Sequence, residues 1–115
     1  MDRDACREDL ICYVGMLNAI QQAVAGKRAF TQREKEEARA MMRDFKNTLN
    51  ASICELQKRG GDGRLSPAEE AFLLPALLEA RSRIRVRWNS NPGPKWVSEL
   101  YSAGVDLQHM LSQLE

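Results

Sequence analysis

The chain has 115 residues, 17 basic against 16 acidic, a formal net charge of +1 and 43% hydrophobic content. That length suits one domain around one core, and the composition is that of a folded chain. A charge balance this even argues against a general polyanion coat, whose affinity comes mainly from neutralising phosphates.

The first helix is expected from Asp2 or Asp4, either of which is an acceptable N-cap. Cys6, Leu10, Tyr13, Leu17, Ile20 and Val24 follow in steps of four and three, which places them on one helical face. Gly26 then supplies a stop. The second helix begins at Thr31, where Glu34 three residues on completes a capping box. Its stripe is Ala38, Met42, Phe45, Leu49, Ser52 or Ile53, and Leu56, with a heavily charged outer surface. It ends before Gly60 and Gly61.

The third segment opens on Ser66, Pro67 and Glu69, a cap, a first-turn proline and a capping glutamate. Its apolar residues run through Phe72, Leu73, Leu74, Leu77, Leu78, Ile84 and Trp88. Pro75 removes a backbone donor inside this run and crowds the preceding turn, so a kink or break is expected there. Residues 81–88 also alternate charged and apolar side chains, a strand signal. With Lys95, Trp96 and Val97 they could pair as a hairpin, but nothing upstream stops the helix, so helix is retained. Residues 89–94 read as a loop dense in turn formers. The fourth helix carries Trp96, Val97, Leu100, Gly104, Leu107, Leu111 and Leu114 on one side.

Short connections favour antiparallel neighbours. The expected fold is therefore all-α, a single domain over residues 1–115, built as an antiparallel up-down-up-down four-helix bundle with its third helix kinked or broken near Pro75.

The sharpest local pattern lies in residues 58–69, where Asp62, Gly63, Leu65 and Glu69 fall at the fifth, sixth, eighth and twelfth positions of a loop between two helices. This stretch resembles the second half of an EF-hand calcium loop. The resemblance covers those twelve residues alone, and it departs from the pattern where Lys58 and Gly60 stand at the first and third ligand positions. A cation at the first position opposes calcium directly. A Gly-rich turn before a well-capped helix explains the same residues.

Other chemistries find no constellation. There is no Cys-x-x-Cys and only one histidine, His109, so zinc has no ligand set and no Cys–His pair is marked as a nucleophile. Di-iron bundles need Glu-x-x-His pairs, which are absent. No metal, no cofactor and no enzymatic activity are expected.

Two surface features point instead to a partner. Arg81, Arg83, Arg85 and Arg87 interleave with Ile84, Val86 and Trp88, and arginine forks suit carboxylates or phosphates. Ile11, Cys12 and Met16 extend the apolar arc of the first helix beyond its seam, while Val86, Tyr101, Val105 and Met110 broaden the third and fourth. Gly104 on the fourth helix would permit close approach of a neighbour. The expectation is a small non-enzymatic protein that binds another protein, or a second copy of itself, as an inhibitor or immunity-type protein, a chaperone or an assembly subunit. Its anchors would be Arg83, Arg87 and Trp88 on one side and Ile11, Cys12 and Met16 on the other. The competing expectation is nucleic-acid binding through the arginine strip. The charged N-terminus shows no signal-peptide pattern, no apolar run is long enough for a bilayer, and three widely spaced cysteines suit a reducing compartment. Those features point to the cytoplasm and to no membrane partner.

Overall fold

In the computed structural model, which describes residues 2–114, the chain forms four α-helices and no strand among the described residues. They are α1 (Asp2–Val24), α2 (Gln32–Gly61), α3 (Leu74–Arg83) and α4 (Pro94–Leu114), with a π-helical turn at Glu69–Leu73 leading directly into α3. The stripes expected for α1 and α2 are the buried ones: Cys6, Leu10, Tyr13, Leu17, Ile20 and Val24 on α1, and Ala38, Met42, Phe45, Leu49, Ile53 and Leu56 on α2. Ile53 takes the core position. Its neighbour Ser52 faces the seam and accepts a hydrogen bond from the Tyr13 hydroxyl.

The helix ends follow their capping chemistry. Thr31 Oγ1 accepts from the Glu34 amide at 3.1 Å while Glu34 Oε1 accepts from the Thr31 amide at 2.9 Å. Ser66 and Glu69 repeat the exchange at 3.1 and 3.0 Å. Asp2 and Asp4 lie within the first turn of α1 rather than capping it, and Asp2 Oδ2 accepts instead from the Ala68 amide at 3.1 Å. Gly26 closes α1 with a positive φ of 75°.

Each helix packs on its neighbours in chain order, and α4 returns to pack most extensively on α1. Contacts ascend one helix as they descend the next. Arg3 meets Gln113, and Leu17 meets Gly104; Tyr13 meets Ser52, and Lys27 meets Glu34. With 30 residues, α2 spans about 45 Å at 1.5 Å per residue, which matches the 47 Å long axis of the molecule. One contiguous core links all four helices, with Trp96, Phe45, Leu10 and Leu17 among its largest buried side chains, and every buried side chain in it is apolar or aromatic.

The third segment departs most from expectation. It does not break at Pro75, since residues 67–83 are helical throughout. The turn before the proline widens instead, and the Leu74 amide reaches back five residues to the Glu69 carbonyl. A widened turn takes up the crowding that a proline ring imposes on the preceding carbonyls.

The expected helix over residues 81–88 holds only through Arg83, and the hairpin strand does not form. The helix ends at Arg83, Ile84 is extended (φ −100°, ψ 90°), and residues 84–93 form the connection to α4. Ile84 and Val86 are both buried, at 5% and 7% exposure. A two-residue period does this in an extended chain, whereas a helix would turn the two side chains about 200° apart. Val86 therefore belongs to the core rather than to the apolar surface, and Trp88 is left at 40% exposure, off the core stripe.

On α4 the seam runs through Trp96, Leu100, Ala103, Leu107 and Leu114, with Gly104 to one side. A Cβ at Gly104 would meet the Leu17 Cδ2 at 3.6 Å, ordinary contact, so no close approach demands glycine there. Gly104→Ala is expected to raise stability by about 0.5–1 kcal/mol, the usual gain from replacing a helical glycine. A urea unfolding midpoint measures it; a lower midpoint would mean that α1 and α4 approach more closely than this.

Candidate functional site

The connection after α3 lies along one face of α2 and is fastened to it rung by rung. Arg39, Arg43, Lys46 and Asn50 follow one another in steps of four, three and four, so they share a helical face. Arg39 donates to the Ser90 carbonyl at 3.0 Å and to Asn91 Oδ1 at 2.8 Å. The Arg43 guanidinium sits over the Trp88 ring, 5.7 Å from its centroid. Lys46 donates to the Val86 carbonyl. Below these rungs, Lys46, Leu49, Asn50, Arg81 and Ile84 enclose a notch of about 100 Å³.

From the opposite side, Glu99 Oε1 on α4 accepts from the amides of Arg85 at 2.6 Å and Val86 at 2.9 Å. Trp96 Nε1 donates to Ser90 Oγ at 2.9 Å. Burial pushes the Lys46 amine below its ordinary pKa, with the Glu99 carboxylate opposing that effect.

These bonds hold the cations without neutralising them, because carbonyls, an amide oxygen and a ring face carry no full negative charge. Asp44 beside Arg43 and Glu99 beneath residues 85–86 are the carboxylates in contact with the strip. The side chains of Arg81, Arg85 and Arg87 are exposed and make no hydrogen bond or ion pair with the described residues. Arg83 differs. It bridges Asp106 at 2.8 Å and Glu79 at 3.0 Å, which compensates its charge and takes it out of the strip.

A second surface is a recess of about 470 Å³ between α1, α2 and the start of the third segment. Cys12 and Met16 line it with Tyr13, Leu73 and Leu77, while Asp9, Arg59 and Glu69 stand at one end. Arg59 holds Glu69 as a fork, Nη1 to Oε1 at 2.8 Å and Nη2 to Oε2 at 2.6 Å. That fork is the leading cause holding the Glu69 carboxyl down at about 2. Asp9 is shifted upward by burial, then by Glu69 and Glu8. Cys6, buried behind the recess, is pushed up to about 11 by burial and the carboxylates of Asp2, Glu69 and Asp9, which leaves an unreactive thiol.

The same fork bears on the calcium-like loop. Glu69, at the twelfth position, has both oxygens on Arg59, and Asp62 is paired with Arg64 at 2.9 Å. A cation would have to displace both arginines. No group of three or more His, Cys, Asp or Glu side chains is placed to hold a metal among the described residues.

Ile11 is not part of that recess. Lying one residue from Cys12, it is turned about 100° away from it and shares its side of α1 with Asn18, seven residues on. Asn18 lines a third surface, a groove of about 450 Å³ between α1 and α4, with Val14, Gln21, Tyr101, Gly104, Val105 and His109 around it. Exposure of Ile11, Tyr101 and Val105 is 43%, 66% and 49%. His109 is exposed and its Nε2 meets the Gln113 side chain at 3.1 Å.

The expected anchors thus separate: Arg87 and Trp88 lie on the strip, Cys12 and Met16 in the recess, and Ile11 is exposed on α1 and lines neither the recess nor the groove. Arg39, Arg43 and Lys46 escaped sequence reading because a charged outer face of a helix reads as solvated. Their four-and-three spacing was the available signal. In the sequence, Tyr101 and Val105 read only as breadth of the apolar arc.

The Arg59–Glu69 fork has a pH consequence. A carboxyl depressed to about 2 when folded contributes stability that is present above its unfolded value near 4.5 and lost as the pH falls through about 2. Glu34, lowered to about 2 chiefly by its hydrogen bond with Lys27, acts in the same direction. Glu69→Gln is expected to cost about 1–3 kcal/mol at neutral pH and to reduce, without abolishing, the loss of stability between pH 4.5 and 2. Thermal unfolding across that range checks both; an unchanged acid profile would show that the fork adds nothing.

Against this geometry, no protein-family model, no curated protein and no solved structure matches the chain.

Proposed function

We propose that the chain is a small non-enzymatic protein that binds another protein through its outer helix faces. Inhibitor or immunity-type protein, chaperone and assembly subunit are the roles this reading admits, with the cytoplasm as its site of action. The observation that carries it is the α1/α4 face. A core that buries Trp96, Phe45 and Met42 completely still leaves Tyr101 and Val105, one helical turn apart on α4, in solvent at one groove. Single exposed apolar residues are ordinary on a monomer, whereas a contiguous set bordering a groove is the usual form of a contact surface. Tyrosine adds large area with few rotatable bonds, a property that favours it at interfaces. Polar Asn18, Gln21, Gln108 and His109 around the groove supply a hydrogen-bonding rim.

Among the described residues no helix is long and apolar enough to cross a membrane. A second copy of the chain is one such partner, and the recess holding Cys12 and Met16 offers a further contact. The competing reading, nucleic-acid binding through the arginine strip, draws on the cations that no carboxylate neutralises. It requires an affinity that falls steeply with salt.

The test is a double substitution, Tyr101→Lys with Val105→Lys. Both side chains are exposed, so stability is expected to stay within about 0.5 kcal/mol. Capture of the partner from the native host, quantified by mass spectrometry, is expected to fall at least tenfold. A self-association reading would instead show loss of dimer in sedimentation. Undiminished capture together with an unchanged sedimentation profile would overturn the assignment of this face.

A further inference from the structure

We propose that the strip between α2 and residues 84–91 docks a short acidic peptide segment of a partner protein, with one aliphatic side chain seated in the notch between Lys46 and Arg81. The inference rests on the protein-binding reading but uses a different face, so the two can fail separately.

Charge is the first argument. Arg39, Arg43, Lys46, Arg81 and Arg87 gather along the strip, and the hydrogen bonds and ring contact that hold the three α2 cations go to carbonyls, Asn91 and Trp88, with Asp44 beside Arg43 and Glu99 near Lys46 as the nearby carboxylates. These contacts fix the positions of Arg39, Arg43 and Lys46 before any ligand arrives. Less side-chain freedom is then lost when a carboxylate docks. Arginine presents two parallel N–H groups to a carboxylate, and Arg81 and Arg87 have no competing partner among the described residues.

Shape is the second. The notch is floored by buried Leu49 and Ile84 and rimmed by Lys46, Asn50 and Arg81. An apolar floor inside a basic rim matches an aliphatic side chain flanked by carboxylates. A phosphate backbone has no group to place there. The Arg43 guanidinium already occupies one face of the Trp88 ring, which leaves only the other for stacking a base. The chain's net charge of +1 also limits the long-range attraction that a nucleic acid would need.

Length is the third. From Arg39 to Asn50 the rungs cover about 16 Å of helix, which corresponds to about five residues of extended peptide. The ligand is therefore a short linear segment rather than a folded surface.

The experiment titrates the full chain into a fluorescein-labelled acidic peptide with a central leucine and follows anisotropy. Controls are the same peptide with leucine replaced by serine, and a single-stranded oligouridylate of equal charge. Arg81→Glu and Arg87→Glu are the variants, chosen because both side chains are exposed and neither makes a hydrogen bond or ion pair with the described residues, with unchanged circular dichroism as the folding check. Saturable binding of the leucine peptide is expected at concentrations up to the order of millimolar. It should weaken at least about tenfold with serine in the notch and at least about tenfold in each variant. The oligouridylate should bind more weakly than the leucine peptide.

Tighter binding of the oligouridylate would assign the strip to nucleic acid and overturn the inference. Equal binding of the serine and leucine peptides, or undiminished binding by both variants, would overturn it as well. Failure of all peptide binding, while substitutions at Tyr101 and Val105 still abolish partner capture, would overturn this inference and leave the protein-binding reading standing.

Discussion

One oxygen of Glu99 accepts the amides of both Arg85 and Val86, and that arrangement decides where the third helix ends. Two amides that leave a helical ladder need partners, and each one buried without a partner would cost about 1–3 kcal/mol. Glu99 supplies them from α4, while Lys46 on α2 takes the Val86 carbonyl. With its backbone satisfied, the chain can extend and bury both Ile84 and Val86. Each such side chain contributes roughly 1.5–3 kcal/mol. Continuing the helix would have sent one of the two into solvent.

The surface follows from that exit. Once the chain extends at Ile84, it runs back along α2 and brings Trp88 to Arg43 and Ser90 to Arg39. The cations of two segments distant in sequence then form one strip, and Arg81 closes the notch over Leu49. At the other end of the molecule the Arg59–Glu69 fork and the Asp2 carboxylate join α1, α2 and the start of the third segment. The widened turn lets the helix pass Pro75 between these two attachments. The helices α1 and α4 pack extensively on each other, yet the outer side of that pair carries no fastening comparable to those at the two ends of the third segment. That is where apolar side chains stand free.

The helices α1 and α2 were legible because one signal governs them. Spacing of three and four selects the buried set residue by residue, and a threonine with a glutamate three on marks where α2 begins. The third segment carries two periods in succession. Leu73, Leu77, Ala80 and Ile84 follow a helix, and Ile84 with Val86 follows an extended chain. Nothing local chooses the switch point, because Glu99 and Lys46 lie outside the segment. The candidate site was harder to read for the same reason. Ile11 and Cys12 are adjacent in the chain yet belong to different surfaces, and Arg83 resembles its neighbours in sequence yet is neutralised by Asp106 and Glu79.

The account depends on residues 84–86 leaving the helix, and Cα chemical shifts over residues 78–91 measure this directly. Helical shifts are expected through Arg83, followed by extended shifts from Ile84 to Val86. The Arg85 and Val86 amides should be protected from exchange in the native chain and exposed by Glu99→Ala. Helical shifts continuing to Trp88, with amide protection indifferent to Glu99, would contradict the account and dissolve the strip on which the acidic-peptide inference stands.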